Sequence, residues 1–179
     1  MGRLIISEFL SLDGVIDTPS WSAPYWNDEI AAFKASEMET TDALLQGRVT
    51  YDGMAAAWPA RGDDDPGAAA MNSLPKYVVS TTLTEATWNN STIIRGDVAH
   101  EIQALKDKYA GDILVYGSGQ LTRFLLERGL VDQLNLLVYP VTVGGGNRLF
   151  EEGALNFTLT ASRTFSSGVV LLQYQPAAR

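Results

Sequence analysis

Short apolar runs alternate with segments of helical periodicity along most of the chain. Runs such as 43–45 and 113–116 contain no charged residue and almost no polar one. Such runs are typical of strands that are covered on both faces of a sheet. Repeated alternation of strand and helix favours a parallel sheet with helices on both sides. The sequence therefore predicts a three-layer α/β fold whose central sheet is mostly parallel.

The predicted elements follow from this alternation. Strands are predicted at 4–10, 42–46, 76–80, 92–94, 113–116 and 133–139, and helices at 28–38, 48–57, 98–109 and 120–128. Near the C-terminus, apolar and polar residues alternate from Phe157 to Ala161, a Ser-Ser-Gly turn follows, and 169–174 returns. This pattern predicts an antiparallel hairpin at one edge of the sheet. Residues 59–73 are predicted to be a mobile acidic loop within a single domain of residues 1–179.

The composition restricts the chemistry that this chain can perform. Its 179 residues include no Cys and a single His, His100. Disulfides, thiolate metal sites and Cys nucleophiles are therefore excluded, and no metal site is expected. The 13 Lys and Arg against 21 Asp and Glu give a net charge of −8, which argues against a nucleic-acid partner. An enzyme of this composition is expected to take its reactive group from a bound cofactor.

Neither a secretory leader nor a membrane span is expected from this sequence. Ser7 and Glu8 interrupt the first apolar run, and no run approaches the ~20 apolar residues of a spanning helix. A cytoplasmic protein without a membrane partner is expected.

One glycine turn leads from a predicted strand into a predicted helix at Gly117-Ser118-Gly119, followed by Gln120 and Leu121. Glycine lets the backbone approach a ligand, and a helix N-terminus offers free N–H groups and partial positive charge. This geometry suits a pyrophosphate. A plain tight turn between strand and helix would give the same sequence pattern.

A second turn of this kind lies at Gly47. Arg48 and Thr50 follow it in the first turn of the predicted helix 48–57, where their side chains can hold phosphate. The alternative is a glycine turn with a surface arginine.

Hydroxyl and guanidinium groups follow two further strands. Ser80 and Thr81 come after one buried strand and Arg95 after the next. Open α/β sheets bind ligands at the carboxyl ends of their strands. Together with Arg48, these residues fit a dinucleotide that carries an extra phosphate, NADP rather than NAD, although each could also be a solvated surface residue.

The first predicted helix supplies the substrate-side candidates. Trp26, Glu29 and Phe33 are spaced three and four apart and are expected to share one face. A carboxylate beside aromatic rings would have a raised pKa and could donate a proton, with Asp28 as the neighbouring alternative acid. The other interpretation places the two rings in the core and Glu29 at its rim.

Taken in order, these segments resemble the dihydrofolate reductase superfamily, and most closely the C-terminal reductase domain of the riboflavin deaminase-reductase (RibD). The matching segments are Ser-Leu-Asp-Gly at 11–14, Leu-Gln-Gly-Arg-Val-Thr-Tyr at 45–51, Lys-Tyr-Val-Val-Ser at 76–80, Asp-Ile-Leu-Val-Tyr-Gly-Ser-Gly at 112–119, 129–134 and 140–150. The resemblance covers nearly the whole chain.

The resemblance implies a dihydrofolate reductase-like fold, NADPH as hydride donor and a homodimer. By position, it implies that Phe9 and Ile16 border the nicotinamide and that Glu29 is the acid that assists protonation. The phosphate-binding residues that it implies are Gly47, Arg48, Thr50, Ser80, Arg95, Gly117, Ser118, Gly119 and Gln120. It places Phe33 where a ring stacks on the substrate. Trp26 and Asp28, taken from the residue pattern above, are the other expected substrate contacts.

Two features differ from the riboflavin-pathway reductases that the chain resembles. Those enzymes have a lysine on the first strand, where this chain has Ser7. They also have an arginine-bearing segment that grips the ribose phosphate, whereas between Gly14 and Gly47 this chain has no arginine and its only basic residue is Lys34. The sugar-phosphate site is therefore incomplete by comparison. The expected function is an NADPH-dependent reductase of a small, heterocyclic substrate; the rivals are a dihydrofolate- or pterin-type reductase and a non-catalytic NADP-binding sensor.

Overall fold

The computed structural model describes residues 1–62, 64–151 and 153–177. The strands are β1 (Leu4–Leu10), β2 (Thr41–Gly47), β3 (Lys76–Val79), β4 (Ser91–Ile94), β5 (Asp112–Tyr116), β6 (Gln133–Val138), β7 (Phe157–Thr164) and β8 (Val170–Pro176). The helices are α1 (Asp28–Glu39), α2 (Arg48–Ala57), α3 (Pro66–Ser73), α4 (Val98–Lys108) and α5 (Gly119–Glu127), with a 3-10 helix at Pro19–Tyr25.

All eight strands form one sheet in the order β4-β3-β2-β5-β1-β6-β8-β7. The pairs from β4 to β6 are parallel, whereas β8 pairs antiparallel with both β6 and β7. The predicted α/β class, the mostly parallel sheet and the C-terminal hairpin are therefore confirmed.

The side-chain alternation of β1 shows why helices cover both faces. Leu4 and Ile6 belong to a core cluster with Ile102 of α4 and Leu125 of α5. Ile5 belongs to a different cluster, with residues of α2 and α3. Successive residues of a strand point to opposite faces, so an unbroken apolar run has to be covered on both faces of the sheet. The result is the predicted three layers.

The hydrogen-bond register of β1 opens a gap in the sheet. β1 pairs with β5 only as far as Ser7 opposite Tyr116, but it pairs with β6 as far as Leu10 opposite Val138. The last residues of β1 therefore have a neighbouring strand on one side only. A cleft begins at this point.

The loop predicted at 59–73 is wrong in its second half, because Pro66–Ser73 forms helix α3. Proline at the first position and the Asp65 carboxylate, which accepts a hydrogen bond from Gly67 N at 2.9 Å, start this helix. Asp63, within the acidic run, lies outside the described residues. In the described part of the chain, no helix has the length and apolar character needed to cross a membrane.

Candidate cofactor and substrate cleft

A cleft of about 1620 Å³ opens at the carboxyl ends of β1, β2, β3 and β5. This is the edge at which open α/β sheets bind ligands. Every residue predicted to bind the cofactor lines this cleft, except Arg95: Phe9, Ile16, Gly47, Arg48, Thr50, Ser80, Thr81, Gly117, Ser118, Gly119, Gln120 and Leu121. The structure thus brings the predicted set together, and its role in binding stays a prediction.

The two predicted glycine turns lie directly against each other. The Ser118 Oγ accepts a hydrogen bond from Gly47 N at 2.9 Å. Gly117 has a positive φ of 59°, and a Cβ at this position would lie 3.1 Å from Thr50 Oγ1. Glycine is therefore needed for the backbone conformation as well as for the close approach. As a result, α2 and α5 begin side by side at the cleft.

The helices α2 and α5 also differ from the other described α-helices at their first turns. Helices α1, α3 and α4 are each capped by a side chain, from Asn27, Asp65 and Asp97. The N-cap residues of α2 and α5, Gly47 and Ser118, make no side-chain cap hydrogen bond. N–H groups without a protein partner, at the positive ends of two helices, attract anions. This donor set fits the phosphates of a dinucleotide.

The segment that carries Ile16 packs against the turn between β5 and α5. A Cβ at Gly119 would lie 2.4 Å from Ile16 Cδ1, so residue 119 must be glycine for Ile16 to keep this position. The segment that carries Ile16 is fixed by its neighbours. Asp13 accepts hydrogen bonds from Val143 N at 3.1 Å and Gly144 N at 2.8 Å, and these bonds, with one from Ser11, hold the Asp13 pKa well below its usual range.

The two remaining phosphate candidates have different surroundings. The Ser80 Oγ accepts hydrogen bonds from Thr82 N at 3.2 Å and Leu83 N at 2.9 Å, so this hydroxyl also closes its own turn. The exposed Arg95 guanidinium donates to the Leu83 carbonyl and does not line the cleft. Arg95 therefore lies beside the Ser80 turn, outside the cleft wall.

On the substrate side, Trp26 is the one predicted residue that lines the cleft, and it is 51% exposed. Helix α1 presents a different face to the cleft from the one predicted. Ala31, Ala35 and Met38 line it, with Lys34 between them. Small and apolar side chains leave a shallow apolar wall beside Trp26, which suits a flat ligand.

The predicted face of α1, with Glu29 and Phe33, packs against the C-terminal hairpin instead. Glu29 accepts a hydrogen bond from Ser166 N at 2.7 Å and pairs with Arg163 at 3.6 Å. The hydrogen bonds from Ser166 lower the Glu29 pKa, so the predicted rise is wrong. Phe33 contacts the Phe165 ring, with centroids 6.4 Å apart, and Asp28 is exposed in the first turn of α1.

The inner wall of the cleft contains a buried polar network. Lys34 Nζ donates to Ser7 Oγ at 2.8 Å and forms an ion pair with Glu37 at 2.6 Å. Glu37 also accepts from Asn135 Nδ2 at 2.7 Å. Burial lowers the Lys34 pKa, while the Glu37 carboxylate opposes this shift. The Lys34 ammonium therefore lies beside Ser7, but the Glu37 carboxylate neutralises its charge.

Sequence reasoning missed Glu8, which lines the cleft from β1. It is only 4% exposed, and burial raises its pKa to about 8, although Lys34 and Thr122 oppose the shift. The signal was present in the sequence, because Glu8 is the one charged residue in the predicted strand 4–10.

The fold and the cleft together define an α/β protein of the dihydrofolate reductase-like class. Over 98% of this chain and 97% of the other, the structure is similar to dihydrofolate reductase from Enterococcus faecalis complexed with NADP(H), with a TM-score of 0.62 and 18% identity. A likeness at this identity shows the fold alone.

The family follows from the sequence itself. Residues 3–171 match the RibD C-terminal domain, and the chain belongs to this family. It is 29% identical to the uncharacterized protein YyaP of Bacillus subtilis over 177 residues, 96% of this chain and 94% of YyaP. A protein of Shewanella sp. PV-4 with a provisional riboflavin-biosynthesis name has a similar structure, with a TM-score of 0.80, 25% identity and coverage of 98% and 99%. The chain therefore combines the dihydrofolate reductase-like fold with membership of the RibD C-terminal domain family.

Proposed function

We propose that this protein is an NADPH-dependent reductase of a small, flat heterocycle that carries no phosphate. The main support is that the N-termini of α2 and α5 have no side-chain caps and lie together at one cleft. The hydrogen bond from Gly47 N to Ser118 Oγ holds them together. Two such N-termini supply N–H donors for the phosphates of a dinucleotide. Arg48 adds a cation for the 2′-phosphate that distinguishes NADPH from NADH.

One group of residues binds the cofactor, and another orients the acceptor. The turns at Gly47 and Gly117 hold the phosphates, and Phe9 and Ile16 border the nicotinamide ring where β1 separates from β5. When bound, NADPH supplies a hydride. Trp26 and the wall of α1 orient the acceptor and exclude water, so that its C=N or C=O carbon faces the donor.

The buried network favours a substrate without a ribose phosphate. Lys34 approaches the place where the riboflavin-pathway reductases have a lysine, but Glu37 neutralises its charge at 2.6 Å. A phosphate would have to compete with that carboxylate for the ammonium, in a wall that is otherwise apolar. The substrate that fits this wall is an uncharged ring.

Binding and turnover can be tested separately. Calorimetric titration is expected to show NADPH binding at micromolar concentration, with NADH weaker. NADPH oxidation is then measured with dihydrofolate, with 5-amino-6-(5-phosphoribosylamino)uracil and with simple carbonyl compounds. Oxidation with an unphosphorylated acceptor supports the proposal. Failure to bind NADPH, or preference for the phosphorylated pyrimidine, would contradict it.

We also propose a homodimer, as the family resemblance implies. Strand β7 lies at the edge of the sheet, and its Leu159 is half exposed. An exposed edge strand with apolar side chains favours pairing with another chain. Light scattering is expected to give twice the mass of one chain, and a monomer at assay concentrations would contradict this part of the proposal.

A further inference from the structure

Glu8 occupies the point at which the sheet opens into the cleft. The pairing between β1 and β5 ends at Ser7, one residue earlier, whereas β6 still pairs with Glu8 through Leu136. The side chain lines the cleft and is almost fully buried. A carboxyl group is thus fixed on a central strand beside the expected nicotinamide pocket.

The protein satisfies the Glu8 carboxyl group only in part, through a hydrogen bond with the Thr122 side chain. The Glu8 Oε1 is buried and has no hydrogen-bond partner among the described residues. The other carboxyl groups in the described cleft wall are engaged: Asp17 accepts from Asn147 N at 2.6 Å, and Asp65 accepts from Gly67 N at 2.9 Å. A buried polar atom left without a partner is costly, so its presence at the wall of a cleft points to a ligand group as the missing partner.

The charges around Glu8 come from several elements. From α1, Lys34 faces it, but this ammonium is paired with Glu37. From α5, the Thr122 side chain forms a hydrogen bond with Glu8 that lowers its pKa. Elsewhere in the cleft wall, the Tyr116 hydroxyl bonds to Glu37 at 3.4 Å, and Arg123 donates to the Arg148 carbonyl at 2.8 Å. Strand β6 contains no charged residue. Lys34 is the one cation among the described residues that acts on Glu8, and its attraction is outweighed by burial, which raises the Glu8 pKa.

We infer that Glu8 is the catalytic proton donor of the cleft, a neutral carboxylic acid at the point where the sheet opens. This inference rests on the proposed reductase function and adds to it the source of the proton. A carboxylic acid positioned in this way typically contributes 10²–10⁴-fold to a rate.

Glu8 gives its proton to the acceptor atom that gains an electron pair in the reduction. Hydride delivered to the carbon of a C=N or C=O bond leaves an electron pair on the nitrogen or oxygen. The O–H bond of Glu8 breaks, and the proton forms a new N–H or O–H bond with that pair. NADPH is oxidised to NADP⁺, the acceptor is reduced by two electrons, and the Glu8 carboxylate takes a proton from solvent before the next turnover.

The protonation state can be measured without any turnover. In the full-length protein with ¹³C-labelled glutamate carboxyl groups, NMR is expected to show one carboxyl that titrates near pH 8. This signal should be absent from Glu8→Gln and retained in Glu39→Gln, which removes an exposed carboxyl outside the cleft. Saturation with NADPH should move the midpoint further upward, because the cofactor excludes water from the gap.

The outcomes separate the two proposals. If the Glu8 carboxyl titrates below pH 6, or if NADPH binds without changing its midpoint, the proton-donor assignment is overturned while the cofactor site stands. If NADPH does not bind, the proposed function fails, and the assignment that rests on it is overturned as well.

Turnover gives the second test, with the acceptor that is reduced fastest in the panel above. Glu8→Gln is expected to lower kcat about 100-fold or more, with KM within about threefold. The wild type should lose activity as the pH rises, with a midpoint near pH 8, and Glu8→Gln should not show this decline. Glu39→Gln should match the wild type in both respects. A Glu8→Gln enzyme with wild-type kcat, or one that changes KM alone, would overturn the assignment.

Discussion

At the scale of single residues, Arg48 is the cation at the first turn of α2 whose charge is best placed for a phosphate. Arg48 begins α2 at the cleft, and its guanidinium forms an exposed ion pair with Asp52 at 3.0 Å. An exposed pair of this kind contributes little to stability. The side chain is therefore available to exchange Asp52 for a phosphate of higher charge.

Arg48→Ala is expected to weaken NADPH binding by about tenfold or more, since charge-assisted hydrogen bonds contribute about 1.5–3 kcal/mol. NADH, which lacks the 2′-phosphate, should lose much less. Calorimetry with both cofactors measures the difference, and Arg163→Ala, on β7 outside the cleft, is the control. Equal weakening of NADPH and NADH would show that Arg48 does not contact the 2′-phosphate.

Glu29 shows how strongly surroundings determine the role of a side chain. Its carboxylate joins the start of α1 to Ser166 in the turn between β7 and β8, and the hydrogen bonds from Ser166 lower its pKa from the ordinary 4.5. A group whose pKa is lower in the folded state stabilises the fold above its unfolded pKa, and this contribution disappears as the pH falls through the folded pKa.

Glu29→Gln should therefore lower the melting temperature slightly at pH 7, and the difference from the wild type should disappear as the pH falls below about 4.5. Turnover should be unchanged, because the carboxylate lies outside the cleft. Melting curves across this pH range and one kcat measurement test both statements. A large loss of kcat would restore Glu29 as the catalytic acid.

At the scale of elements, the site depends on how two strand–turn–helix units are held together. The Ser118 hydroxyl accepts the Gly47 N–H at 2.9 Å and so fixes α2 against α5. Without this hydroxyl, a partly buried N–H would lose its partner and the two helix N-termini could move apart.

Ser118→Ala is expected to lower the free energy of unfolding by about 1 kcal/mol and to weaken NADPH binding as well. Denaturant unfolding and calorimetry measure the two effects. Ser36→Ala, which removes an exposed hydroxyl on α1, provides the comparison. A variant that loses stability but binds NADPH normally would show that the bond between the turns does not shape the site.

Most elements could be predicted because their signals are local. The repeat at 98, 102 and 105 behind the capping Asp97 predicts α4, and the structure has this helix at Val98–Lys108. Helix α3 was missed because its Ala-rich sequence lacks an apolar repeat, although Asp65 and Pro66 marked its start. Local signals predict where an element begins and ends when both its caps and its periodicity are clear.

The cofactor side of the cleft could be predicted from its glycine turns, but the substrate side could not. The spacing of Glu29 and Phe33 correctly places them on one face of α1, yet which face meets the cleft depends on the hairpin at 157–176, far along the chain. Similarly, the role of Glu8 depends on where β1 and β5 separate, which is a property of strand register.

At the scale of the whole molecule, burial of a carboxyl in the central sheet should appear in the stability of the fold. The Glu8 pKa is raised to about 8 in the folded protein from the ordinary 4.5. Between these values, the folded state binds a proton that the unfolded state has released. Stability should therefore fall as the pH rises, by at most about 1.4 kcal/mol per pH unit.

Relative to Glu8→Gln, which is neutral at every pH, the wild type should lose stability progressively from about pH 4.5 to about pH 8 and no further above it. Denaturant unfolding at several pH values gives this difference, and Glu39→Gln should show no such trend. A constant difference between wild type and Glu8→Gln would mean that Glu8 is ionised in the folded protein.

The adjoining starts of α2 and α5 are predicted to hold the phosphates of NADPH. A titration of ¹⁵N-labelled protein with NADPH, followed by amide NMR, tests it most directly. The amide signals of residues 48–50 and 119–121 are expected to shift together and to saturate at micromolar NADPH. No shift at millimolar NADPH, or shifts confined to residues outside the cleft, would contradict it.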